Sequence, residues 1–177
     1  MGRIPHDPNE IIAVMDDEDR IIGRTTRKEA HEKGLLHREA YAYLINSKKQ
    51  VLLQRRADNH LWDHSVGGHF PLEQDYLEGA LREFREELGI NLDEREFKEI
   101  AKDRIRITSH NGKNVRFVKV FLITKNIPMK EFNTDKEEVE EIKYFDISEL
   151  KELLKHPEEM TDTARYLIEK YVLKEIQ

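Results

Sequence analysis

The stretch from Asp75 to Gly89 constrains the fold most, because its apolar and acidic residues fall on separate faces of one helix. At about 100° per residue, Leu77, Leu81, Phe84 and Leu88 lie within roughly 60° of one another, which predicts the buried face. Glu83, Glu86 and Glu87, at i, i+3 and i+4, converge within a window of roughly 100° on another face. Gly89 predicts the helix stop, and Gly67 and Gly68 predict a sharp backbone turn ahead of it. Such a helix is anchored by one side and presents three carboxylates from another.

Carboxylates brought that close raise one another's pKa unless cations neutralise them, so a hard divalent ion is the expected partner. Arg82, i−4 from Glu86, is placed to hold that carboxylate. A carbonyl at Gly67 could supply a further oxygen ligand, and an amide at Gly68 could meet a phosphate oxygen. The bland reading of an isolated Arg-Glu-x-x-Glu-Glu is a solvated helix face with local ion pairs. The glycine pair, the apolar stripe and Gly89 together favour the metal-binding reading.

Around this helix the chain predicts strands. Glu10 to Met15 and Arg20 to Gly23 read as a hairpin or a ribbon, and Thr26 with Glu29 caps a short helix ending at Gly34. Glu39 to Ile45 and Gln50 to Gln54 read as a hairpin turned at 46–49, followed by a loop from Ala57 to His64. Phe97 to Ile107 and Val115 to Thr124 alternate around His110-Asn111-Gly112, and Val139 to Phe145 is a further strand. Asp146 or Ser148 caps a helix to about Leu154, and Thr161 caps another to about Leu173. Strands and helices do not alternate regularly, so the expected class is α+β, an α/β/α sandwich with a mixed sheet flanked by helices. The 177 residues suit one domain, 1–177, with an N-terminal strand and hairpin extension over about 8–36.

With 30 basic and 36 acidic residues the net charge is −6, which argues against a nonspecific nucleic-acid partner, so an anionic ligand must be met locally. The chain has no cysteine, which excludes disulfides and thiol chemistry and suits a reducing compartment. No apolar run is long enough to span a bilayer and the opening residues lack a signal-peptide core; a soluble cytoplasmic protein is the expectation. The sequence leaves a homodimer open.

The segment resembles the Nudix box, in which a Gly is followed after five residues by Glu and after seven more by Arg-Glu, an apolar residue, one residue, Glu-Glu, one residue, Gly and an apolar residue. Gly68, Arg82, Glu83, Phe84, Glu86, Glu87, Gly89 and Ile90 fall in register, while Gln74 stands where the pattern has its first Glu. The resemblance implies a Nudix-like mixed sheet and a Mg²⁺-dependent hydrolase, with Mn²⁺ as an alternative ion. Its substrate would be a nucleoside diphosphate derivative or a similar small organic pyrophosphate. Glu83, Glu86, Glu87 and Gly67 would hold metal, and Arg82 would join the three glutamates as a catalytic group.

Glu10 to Arg27, Leu36-His37-Arg38, Leu52 to Arg56 and Trp62 to His69 are similar to the branch that includes isopentenyl-diphosphate isomerase. That enzyme is the rival reading, and a binding protein weakened by Gln74 is another. The isomerases have a cysteine where this chain has Gly67, and an acidic pair where it has Asn114 and Arg116.

Arg55 and Arg56 are candidates to clamp a diphosphate bidentately, against surface salt bridges as the alternative. His31, His37 and His69 could form a second metal site, although a histidine beside a turn is more often a hydrogen-bonding residue. Trp62 reads as a packing residue before a stacking platform. Glu138, in the acidic run 135–141, is a candidate for one more metal ligand or the base.

Overall fold

The computed structural model describes residues 4, 6–109 and 112–177. A two-stranded ribbon, β1 (Ile11–Met15) and β2 (Ile21–Thr26), leads into helix α1 (Arg27–Lys33). The Thr26 side chain accepts from Glu29 N, and Gly34 ends the helix in the left-handed region, as the spacing predicts. Then come β3 (His37–Ile45), β4 (Val51–Arg56), β5 (Trp62–Asp63), β6 (Val66–His69) and helix α2 (Tyr76–Leu88). The rest comprises β7 (Phe97–Ser109), β8 (Gly112–Thr124), β9 (Val139–Phe145), α3 (Ile147–Leu153) and α4 (Asp162–Leu167). A π turn and a last short helix carry α4 on to Ile176. Two residues of the predicted turn, His110 and Asn111, lie outside the described ones.

The main sheet runs β5-β4-β3-β8-β7, with β6 also on β3 and β9 also on β4. β3 and β8 are parallel and the other pairs antiparallel, so the sheet is mixed. β3 is buried along nearly its whole length and alternates between two cores. Tyr41, Tyr43 and Ile45 pack with Leu150, Leu153, Ala164 and Leu167 of α3 and α4. Ala40, Ala42 and Leu44 pack with Ala80, Phe84 and Leu88 of α2 and with Ala13 and Met15 of β1. This is the α/β/α sandwich, and the ribbon is part of its core.

Four local expectations are corrected. Gly67 and Gly68 do not form a turn; they lie in β6, opposite Tyr41 and Ala40 of β3. A Cβ on Gly67 would sit 2.8 Å from the Ala40 carbonyl oxygen and 2.4 Å from the Tyr41 ring, so only glycine lets the strands close. The β3–β4 hairpin joins at Ile45 and Val51 and then parts, with residues 62–69 filling the space between. The expected loop therefore contains β5. Finally, α2 buries Tyr76, Gly79, Ala80, Glu83, Phe84, Glu87 and Leu88, while Leu77 and Leu81 are half-buried. The buried face is turned toward the glutamates because Gly79 lies against the Phe70 ring, where a Cβ would meet it at 2.8 Å.

Candidate active site

Helix α2 starts from a reciprocal capping box between Asp75 and Glu78 and ends at Gly89, whose N–H donates to Phe84 O. Its last carbonyls are then taken by a following segment: Asn133 N donates to Leu88 O at 3.0 Å and Asp135 N to Glu87 O at 2.9 Å. That docking brings Glu138 against the helix. Glu83, Glu87 and Glu138 are all buried and, with Glu86, line one cavity of about 550 Å³.

Burial, then the charges of Glu83 and Glu138, pushes the Glu87 carboxyl well above the usual carboxylate range, and it hydrogen-bonds with Glu83. Two buried carboxyls this close mark a place where a cation would be bound favourably. Arg82 holds this wall. It donates to Glu83 at 2.9 Å and to the His69 carbonyl at 3.2 Å, with Glu86 at 3.7 Å, so its main partner is Glu83, where the sequence suggested Glu86. Gln54, from β4, donates to the Ser65 carbonyl at 3.1 Å and to Glu87 Oε2.

His31, His69 and Glu39 line the same cavity, and His37 lies against His69. His31 and His69 approach at 2.9 Å between Nε2 atoms, and His69 and His37 at 3.2 Å. Glu39 Oε1 lies 3.0 Å from His69 Nε2. His37 Nδ1 lies 2.8 Å from the Leu35 carbonyl, which fixes the proton there and turns the Nε2 lone pair inward. Burial lowers all three imidazoles, His31 to about 4, so they are neutral at pH 7. The four donor atoms fall within 4.8 Å of one another, a set suited to a borderline transition metal.

Sequence reasoning did not find Glu39 for this group. The signal was parity, since it sits two residues from His37 on a strand and shares its face. Arg116 of β8, almost fully buried, pairs with Glu39 and donates to Thr163 Oγ1 at 2.5 Å. Burial opposes ionisation of Glu39, but Arg116 and then His69 override it and hold the carboxyl well below its ordinary value.

The remaining predicted residues divide. Gly67, Gly68 and Arg56 line the cavity; Arg55 does not. Arg55 pairs with Glu140 and Glu141 and lies over the Trp62 ring, which packs edge-on against Phe145. Neighbours on a strand point to opposite faces, so the two arginines cannot share a site. Arg56 is bound by Asp58 at 2.7 Å and Asp63 at 3.2 Å. Gln74 is outside the cavity lining; its carbonyl accepts from Arg38 at 3.2 Å.

Further lining residues were not foreseen. Asp63 accepts from Thr161 Oγ1 at 2.9 Å and faces His64 at 3.1 Å, and His64 Nδ1 meets the Tyr43 hydroxyl at 2.5 Å. Arg27 lines the same cavity with no ion-pair partner among the described residues, and His6 stands 3.8 Å from Glu138.

A buried acidic wall on the helix after β6, held under a mixed sheet between helical layers, defines a class. The chain belongs to the NUDIX domain family, whose pattern matches residues 35–170. Within that family it falls in the branch that resembles isopentenyl-diphosphate isomerase. It is 30% identical over 156 residues to an uncharacterized Nudix hydrolase of Clostridium acetobutylicum, covering 82% of this chain and 74% of that one. It is also 30% identical over 171 residues to isopentenyl-diphosphate delta-isomerase 2 of Homo sapiens, covering 82% of this chain and 73% of that one. The DR0079 protein of Deinococcus radiodurans shares the fold with a TM-score of 0.74 at 20% identity, over 91% of this chain and 98% of that one. Among the described residues no helix is long and apolar enough to cross a membrane.

Proposed function

We propose that this chain splits the diphosphate linkage of a nucleoside diphosphate derivative or similar small organic pyrophosphate, with Mg²⁺ as its ion and Mn²⁺ as a substitute. The observation that carries the proposal is the buried meeting of Glu83, Glu87 and Glu138, where burial and then the neighbouring carboxylates push the Glu87 carboxyl up. The donor set is all oxygen, which fits a hard cation. Glu83, Glu86 and Glu87 would hold it, with the Gly67 carbonyl as a further oxygen. When bound, such an ion supplies Lewis acidity and a more acidic water.

The chain's own groups do the rest. Arg82 keeps the Glu83 carboxylate from swinging away, and the Gly68 amide, Arg56 and Arg27 meet phosphate oxygens. Glu138, packed beside Glu87 but carried by the segment after the helix, would take the proton of an attacking water. The absence of cysteine suits a cytoplasmic setting.

Phosphate release from a panel of nucleoside diphosphate derivatives with Mg²⁺ tests the proposal. Release from at least one, lost in Glu86→Gln, is expected; release unchanged in that variant would contradict the assignment.

The second reading, an isomerase-like enzyme, is favoured by one observation, the clustered histidines with Glu39. Two others oppose it. No space exists for a side chain at position 67, and Arg116 already neutralises the carboxylate of that cluster. Proton exchange into isopentenyl diphosphate without phosphate release would establish it instead.

A further inference from the structure

Gln54 has no role in the reading above, yet its amide is fixed on all sides. The residue is buried, and β4 is paired along both edges there, with Asp63 of β5 opposite on one side and Ile142 of β9 on the other. Its nitrogen faces two acceptors, the Ser65 carbonyl and Glu87 Oε2. A flipped amide would set oxygen against oxygen twice, so the nitrogen belongs where it stands. The Ser65 carbonyl is itself immobile, because the Ser65 hydroxyl donates to Leu52 O and accepts from Leu44 N at 2.9 Å.

We propose that Gln54 is a positioning residue for metal binding: it occupies one oxygen of Glu87 and leaves the other turned toward Glu83. This rests on the reading of Glu87 as a metal ligand. A neutral donor suits the task. A lysine or arginine would cancel the charge the cation needs, whereas the amide holds the oxygen and leaves the charge in place. The strand position alternates correctly too, since Gln54 shares a strand face with Leu52, which packs in the α2 core.

The test is Mg²⁺ titration by calorimetry, without substrate, on the wild type, Gln54→Leu and Gln54→Met. Mg²⁺ is chosen because imidazoles compete poorly for it. Affinity in both variants is expected to fall about 10- to 100-fold, the range found when a partner of a metal ligand is lost. The Mg²⁺ needed for half-maximal phosphate release should rise in parallel, with kcat largely regained at saturating Mg²⁺. A merely structural role would lower the melting temperature in chelator and leave affinity unchanged. Affinity within twofold of wild type in whichever variant folds overturns the inference and spares the assignment of Glu87. A wild type that binds no Mg²⁺ overturns both.

Discussion

Replacing Gly67 with alanine asks whether this chain has room for any side chain where its isomerase relatives keep a cysteine. The added Cβ would lie 2.4 Å from Tyr41 Cδ1, 2.8 Å from the Ala40 carbonyl oxygen and 3.0 Å from Tyr41 Cα. Two of the three are backbone atoms of β3. Tyr41 cannot swing aside either, because its hydroxyl is tied to Glu39. The strands β6 and β3 must therefore separate locally, and overpacking of this kind costs typically 1–3 kcal/mol. For a chain of this length each kcal/mol is worth about 2–4 °C, so a drop on the order of 2–12 °C is expected in calorimetry. Gly68→Ala is the control. A Cβ there meets nothing within 4 Å, so only its backbone angle of 150° resists and the drop should be smaller. Equal melting temperatures for Gly67→Ala and wild type would refute the steric argument, and with it the geometric case against the isomerase reading.

Glu87→Gln removes a buried carboxyl from between Glu83 and Glu138, so the metal-free protein should melt at the same temperature or higher while phosphate release is abolished; a large loss of stability in chelator would contradict the crowding. Glu39→Gln leaves Arg116 buried without its partner and should cost about 3–5 kcal/mol, with Glu39→Gln/Arg116→Met recovering most of it in urea denaturation. His64 is held at about 4 by burial, below its ordinary value, so the unfolded chain binds the extra proton between about pH 6.5 and 4. Stability should fall as pH drops through that window, by roughly 3 kcal/mol from this residue, and His64→Gln should flatten the decline.

The acidic helix was legible in the sequence because a helical period acts over a dozen residues, and its caps at Asp75 and Gly89 are where the residue types put them. The strands of the mixed sheet were legible for the same reason, with period two. What escaped was pairing between distant segments. Residues 62–69 carry no alternation long enough to betray β5 and β6, and their strand character comes from β4 and β3 alongside. The histidine cluster was suspected, but Glu39 and Arg116 belong to it through the parallel β3–β8 register, which joins positions almost 80 apart in sequence. Arg55 and Arg56 looked equivalent as neighbours, and strand alternation separates them.

The central claim is that Glu83, Glu86 and Glu87 hold a divalent cation against a pyrophosphate. A crystal grown with Mn²⁺ and a non-hydrolysable diphosphate analogue tests it most directly, through the anomalous signal of the metal. The account predicts a peak bounded by oxygens of those three glutamates and in contact with the analogue. Density for the analogue with manganese only among His31, His37 and His69, or nowhere, would contradict it.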